Sequence, residues 1–60
     1  MCRYKLYDVY EGKKLLIKTD LFNDVVKACV ERNEDTDGEF EPMLYEYDGD
    51  KYVLTEDWNW

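Results

Sequence analysis

One stretch of the sequence, residues 21–32, restricts the fold more than any other because it has the clear apolar spacing of an amphipathic helix. The apolar residues that recur there at three- and four-residue intervals are Phe22, Val25, Val26 and Cys29. At 3.6 residues per turn they share one face, and charged residues fall on the opposite face. Thr19 or Asp20 is a candidate N-cap, and we expect the helix to end near Asn33.

The segments on both sides of this predicted helix have the composition of β-strands. Residues 3–10 and 15–19 flank a turn that contains glycine, which predicts a first hairpin. Residues 42–48 and 52–56 flank the turn sequence DGDK, which predicts a second hairpin. The predicted order of elements is therefore strand, strand, helix, strand, strand.

The alternation of apolar residues slips within the first predicted strand. Tyr4 and Leu6 share one face of an extended chain, whereas Tyr7 and Val9 share the other face. This pattern indicates either a β-bulge near Asp8 or a strand that is partly covered on both faces.

The element order predicts an α+β fold, ββαββ, with one four-stranded, mainly antiparallel sheet and a single helix packed on one face. Sixty residues fit one small domain, residues 1–60, with a thin core, because a chain of this length buries only about 60% of the surface that its unfolded form exposes. One helix cannot cover both faces of a sheet. We therefore expect the second face to be solvated or to be covered by a partner.

Net charge restricts the partners that the chain can bind. The formal charge is −7, from fifteen acidic and eight basic residues. Residues 31–60 contain eleven acidic and two basic residues, a net −9, whereas residues 1–30 contain four acidic and six basic residues, a net +2. Nucleic acids and anionic membranes bind to cationic protein surfaces. The sequence therefore predicts a basic protein partner, with no direct nucleic-acid binding and no membrane binding.

The side chains needed for catalysis are scarce, since the chain has no histidine and no serine. Their absence excludes serine–histidine and cysteine–histidine arrangements. Cys2 and Cys29 do not form a C-x-x-C pair and cannot make a structural zinc site without imidazole ligands. No signal-peptide pattern is present, so the expected location is the cytoplasm, where both thiols would be reduced. We expect no enzymatic activity, no metal and no cofactor.

The segment NEDTDGEFEPML, residues 33–44, resembles the first half of an EF-hand calcium loop. Such a loop takes ligands from positions 1, 3, 5, 7, 9 and 12 and has glycine at position 6. Counting from Asn33 places Asp35 and Asp37 at positions 3 and 5 and Gly38 at position 6. Position 12 is Leu44, which has no side-chain oxygen, so the loop is incomplete.

The acidic residues of the second half, with two C-terminal tryptophans, form the candidate partner-binding surface. Tryptophan is enriched at the energetic centres of protein interfaces. In size, charge and aromatic content the chain is similar to small acidic proteins of phages and mobile elements that present carboxylates in the nucleic-acid groove of a basic enzyme. The likeness implies an inhibitor that mimics nucleic-acid charge. The residues assigned to the surface are Glu34, Asp35, Asp37, Glu39, Glu41, Glu46, Asp48, Asp50, Trp58 and Trp60.

The function that the sequence favours is that of a non-catalytic, small acidic protein-binding module. Two alternatives stay open: a self-associating, homodimeric structural domain with no other ligand, and a calcium-responsive domain that uses the incomplete loop at 33–44. The tyrosines could also stack single-stranded bases. Against this use, the second half of the chain supplies only Arg32 and Lys51 as cations.

Overall fold

The computed structural model describes all sixty residues and contains four strands and one helix in the predicted order. The elements are β1 (Tyr4–Asp8), β2 (Lys14–Thr19), α1 (Phe22–Asp35), β3 (Pro42–Tyr47) and β4 (Tyr52–Thr55). The strands form a single antiparallel sheet in the order β2-β1-β3-β4, so β1 lies in the centre of the sheet. The prediction of an α+β ββαββ fold is confirmed.

The ladder between β1 and β2 contains a β-bulge, and its extra residue lies in β2. Leu6 pairs with Ile17, but the next residue, Tyr7, pairs with Leu15, so Leu16 is an extra residue on the β2 side. The bulge lets both Leu16 and Ile17 pack against the core. β1 itself alternates regularly, so its slipped apolar pattern arises because Tyr4 and Leu6 face the helix whereas Tyr7 lies on the opposite face of the sheet.

The core lies between the helix and one face of the sheet. Leu6, Leu44, Val25 and Cys29 are fully buried, and Phe40 is nearly so. The predicted apolar stripe of the helix thus faces the sheet, with Phe22 at its margin. The helix contacts β2 and β1, whereas Phe40 and the C-terminal Trp58 add cover to the same core. Non-helical segments therefore complete the layer that the single helix begins.

The helix ends differ from the sequence prediction. Its N-cap is Leu21, and no side chain caps it. Thr19 is instead the last residue of β2; its hydroxyl accepts a hydrogen bond from the Leu21 amide and donates one to Asp24. Thr19 was wrongly predicted as the N-cap because the strand keeps it in the sheet ladder, and Asp20 was wrong because its carboxylate accepts the Arg3 amide.

At its other end the helix continues past Asn33 to Asp35. The carbonyl of Asn33 accepts a hydrogen bond from the Gly38 amide, and Gly38 has a φ of 85° that favours glycine.

The helix is too short and too polar to cross a membrane. Both cysteines are free. Cys29 lies in the core, as its place on the apolar face of the helix predicts, and burial raises the pKa of its thiol to about 11.

Truncation of Leu44 should cost far more stability than the same change on the other face of the sheet. Leu44→Ala removes a fully buried side chain, and we expect the free energy of unfolding to fall by about 2–5 kcal/mol. Leu54→Ala is the matched control, because Leu54 is 47% exposed on the uncovered face, and it should cost about 1 kcal/mol or less. Urea unfolding followed by tryptophan fluorescence measures both. Equal losses would contradict the assignment of the core to the helix side.

Candidate functional site

A buried carboxylate, that of Asp8, joins the segments that carry most of the candidate residues. Asp8 is the last residue of β1 and is 2% exposed. Its Oδ2 accepts a hydrogen bond from Arg32 Nε of the helix at 2.9 Å. Its Oδ1 accepts the backbone amides of Tyr10 at 2.9 Å and Glu41 at 3.3 Å. One side chain therefore links the central strand, the turn after it, the end of the helix and the chain that enters β3.

The environment of Asp8 favours its charged form. Burial alone would raise the pKa of this carboxyl, but the hydrogen bonds from the Tyr10 amide, the Arg32 side chain and the Glu41 amide outweigh burial. The pKa of Asp8 is therefore lowered from the usual 3.8. No buried side-chain nitrogen or oxygen is left without a hydrogen-bond partner. The buried Asp8 carboxylate is therefore fully hydrogen-bonded, while the Arg32 side chain that pairs with it remains partly exposed.

Five of the predicted partner-binding residues come together where the helix ends and β3 begins. Every residue of this set, called the acidic end below, is exposed, and none of its carboxylates makes a hydrogen bond or an ion pair within the chain. Asp8 accepts hydrogen bonds from the Arg32 side chain, just before this segment, and from the Glu41 amide, at its last residue. These two contacts fix both ends of the segment. The residues of the acidic end are Glu34, Asp35, Asp37, Glu39 and Glu41.

The other three predicted acidic residues lie elsewhere. Tyr4 pairs with Glu46 while Asp8 pairs with Pro42. The start of β3 therefore lies beside the end of β1, and the end of β3 lies beside the start of β1, at the opposite end of the strands. The six residues of β3 span roughly 17–20 Å. Glu46 is paired with Arg3 at 2.9 Å, and Asp48 caps the turn by accepting the amides of Asp50 and Lys51. β3 therefore separates the predicted acidic residues into two groups.

The two predicted tryptophans lie on the helix side of the sheet. Trp58 packs edge-on against Phe22, with ring centroids 6.3 Å apart, and belongs to the margin of the core. Trp60 packs edge-on against Phe40 at 5.7 Å and remains 43% exposed. Trp58 therefore serves the core, while Trp60 keeps a free surface beside the chain that contains Glu39 and Glu41.

The geometry of residues 33–44 does not suit an EF-hand. Asn33 and Asp35, the proposed ligands at positions 1 and 3, lie within the helix rather than in a loop. Pro42 starts β3 where an exit helix would be needed. No three acidic, cysteine or histidine side chains are grouped so that they could hold a metal ion.

The uncovered face of the sheet is a second surface, whose composition the sequence did not reveal. Because side chains alternate along each strand, the register assigns nine strand residues to the face opposite the buried Leu6 and Leu44. None of the nine is acidic, although the chain as a whole has a charge of −7. These residues, called the tyrosine–lysine face below, are Lys5, Tyr7, Leu15, Lys18, Met43, Tyr45, Tyr47, Tyr52 and Leu54.

Lysine side chains lie on the tyrosine rings of this face. Lys5 Nζ is 4.1 Å from the centre of the Tyr52 ring. Lys13, from the turn after β1, places its Nζ 4.7 Å from the Tyr7 ring and 4.8 Å from the Tyr45 ring. These distances are typical of cation–π contacts. The first-half lysines therefore lie beside second-half tyrosines, because β1 is paired with both β2 and β3.

The sequence prediction missed this arrangement because it counted cations only along the second half of the chain. The strand order decides which lysines meet which tyrosines, and no local pattern specifies that order. One signal was present: Lys5 and Tyr7 alternate with Leu6, so they point away from the core as soon as Leu6 is placed in it.

The molecule offers little concavity in addition to these two surfaces. A shallow groove of about 280 Å³ lies between the helix and β2 and is lined by Ile17, Asp24, Lys27, Ala28 and Glu31.

Comparisons with family models, curated proteins and solved structures find no match to this chain. The acidic end and the tyrosine–lysine face are therefore the candidate functional surfaces of the molecule.

Loss of the Asp8 charge should destabilise the protein at neutral pH. Asp8→Asn leaves Arg32 without its carboxylate, and we expect the free energy of unfolding to fall by about 2 kcal/mol at pH 7. The lowered pKa means that the Asp8 contribution is complete above 3.8 and is lost as the pH falls through the value in the folded protein. The difference in stability between wild type and variant should therefore be constant above about pH 5 and shrink below about pH 4.

The matched control is Glu39→Gln, which removes one exposed, unpaired charge from the same end of the molecule. Its free energy of unfolding should stay within about 0.5 kcal/mol of wild type. Urea unfolding at a series of pH values measures all three proteins. A difference for Asp8→Asn that persists unchanged at pH 2 would contradict the role given to its charge.

Calcium at micromolar concentration should leave the melting temperature unchanged, because residues 33 and 35 are held in the helix. Differential scanning fluorimetry with equal concentrations of calcium and magnesium is the measurement. A rise produced by calcium and not by magnesium would restore the calcium-responsive alternative.

Proposed function

We propose that this protein is a non-catalytic binding module that engages a basic protein partner through the acidic end. The observation that carries the proposal is that five exposed carboxylates lie together without a single cation of the same chain to pair with them. Both intramolecular ion pairs of the protein are made by other carboxylates, those of Asp8 and Glu46.

The energetics of the acidic end support this role. Carboxylates that lie close together repel one another and reduce stability unless cations neutralise them. Within this chain nothing does so, although Arg32 lies at the end of the same helix, because Arg32 is committed to Asp8. A partner that presents lysine or arginine would supply the missing cations and would be attracted over a distance by the net charge.

The proposal extends to the kind of partner. A basic protein that handles nucleic acid has a cationic groove, and the acidic end would occupy it as a substitute for phosphates. Trp60, 43% exposed beside Phe40, would supply an aromatic contact at the border of this interface. On this proposal the protein acts as an inhibitor of its partner by competing with nucleic acid for the groove.

A catalytic role has less support. The chain contains no histidine and no serine, and the single groove, between the helix and β2, is shallow. Location in the cytoplasm is part of the same proposal. It is supported by the two free thiols, since Cys29 is buried in the core and Cys2 lies at the start of the chain.

Neutralising part of the acidic end should weaken partner capture. We expect the variant Asp37→Asn/Glu39→Gln to retain at most one fifth of the basic protein that immobilised wild type retains from a lysate of the cells that encode it. Asparagine suits position 37, where φ is 55°, so the loop should keep its shape. Retention by the wild type should also fall steeply between 50 and 300 mM salt, about the range over which charge screening increases.

The matched control is Asp20→Asn/Asp50→Asn, which removes the same number of charges at the end of the strands opposite to the acidic end. The asparagine introduced at position 20 keeps a side-chain oxygen that can accept the Arg3 amide, so this change preserves the local contact. Quantitative mass spectrometry of the retained proteins should show capture by the control at the wild-type level. Equal capture by both variants, or capture that is insensitive to salt, would contradict the proposal.

A further inference from the structure

The tyrosine–lysine face differs from the rest of the molecule in the sign of its charge. Lys5, Lys18 and the neighbouring Lys13 are its only ionised side chains, and the face contains no carboxylate. The helix and both tryptophans lie on the opposite side of the sheet. The contacts that reach this face from outside the strands are the Cys2 carbonyl, which accepts a hydrogen bond from the Tyr52 hydroxyl, and the Lys13 side chain of the turn after β1. A cationic and aromatic surface is therefore exposed on a protein that is otherwise strongly acidic.

We propose that the tyrosine–lysine face is a second binding surface, whose occupant is a short acidic segment of a partner protein. The charge of the face selects carboxylates, and Leu15, Met43 and Leu54 offer apolar area for the residues between them. This surface is independent of the acidic end and has the opposite preference in partner charge.

The dimensions of the face favour a short segment over a large interface. Four strands about 4.8 Å apart with a rise of about 3.4 Å per residue give a face of roughly 400 Å². A stable interface buries about 800 Å² on each partner. Contact with this face alone is therefore expected to be weak and reversible, as for recognition of a peptide segment.

The arrangement of the rings argues against nucleic acid as the occupant. Stacking of bases needs accessible ring faces. Here the lysine ammonium groups already lie over the rings of Tyr7, Tyr45 and Tyr52 at 4.1–4.8 Å. The rings of Tyr7 and Tyr45 are also inclined at 81° to each other and form no flat platform. A long polyanion would in addition meet the acidic end, whereas a short acidic peptide need not.

A second copy of this chain in a symmetric dimer fits the face less well. Symmetry would place the same surface on both sides of the interface. The lysines of one copy would then approach the lysines of the other, with no carboxylate of either face to pair with them. Charge complementarity therefore selects a different protein that carries acidic residues.

A titration followed by NMR can test this inference. The probe is a random copolymer of glutamate and tyrosine, added to the ¹⁵N-labelled protein at low salt. We expect amide shifts to change at Lys5, Tyr7, Tyr45 and Tyr52 and to remain constant at the acidic end. The variant Lys5→Gln/Lys13→Gln should bind the copolymer at least fivefold more weakly than wild type.

The matched control is Lys14→Gln/Lys27→Gln, which removes two exposed lysines that are not on the face. It should bind within twofold of wild type, as should the acidic-end variant Asp37→Asn/Glu39→Gln, so failure of this inference is distinguishable from failure of the proposed function. Equal weakening in both lysine variants, or no shift at the face, would overturn the inference. So would equally tight binding of oligothymidylate, or concentration-dependent shifts at the face without any probe.

Discussion

The ion pair between the buried Asp8 and the partly exposed Arg32 is the interaction on which the arrangement of this molecule depends. A fourteen-residue helix over half of a sheet leaves its C-terminal end without a large apolar contact. Asp8 compensates by accepting hydrogen bonds from the helix, from the turn after β1 and from the chain that enters β3. Because Asp8 uses the arginine nearest to the acidic end, the exposed carboxylates beside it stay unpaired. The same contact thus fixes the fold locally and leaves the acidic surface available.

The fold also separates charge between the two sides of the sheet. The residues that alternate with buried Leu6 and Leu44 contain lysine and tyrosine but no carboxylate. The carboxylates are concentrated in the helix, the loops and the turns. A net charge of −7 therefore describes neither surface well. As proposed above, the acidic end would engage a basic partner and the tyrosine–lysine face an acidic segment.

Local features of the sequence were sufficient to predict the elements of the fold. The spacing of Val25 and Cys29 identified the buried face of the helix, and the DGDK turn identified the second hairpin. The interactions that depend on distant residues were not predictable in this way. Asp8 and Arg32 are 24 positions apart, and each resembles an ordinary surface residue when read alone. The tyrosine–lysine face depends on the strand order β2-β1-β3-β4, and the separation of the acidic residues into two groups depends on how β3 pairs with β1.

The most direct test of this account is the titration of the Asp8 carboxyl group itself. Carbon-13 NMR of the side-chain carboxyl as a function of pH gives its pKa in the folded protein, and the amide shifts of Tyr10 and Glu41 report on the same protonation. The account predicts a midpoint below 3.8, with the two amides changing together with the carboxyl. A midpoint at or above 3.8, or amides that do not respond, would show that Asp8 does not hold the acidic end to the sheet.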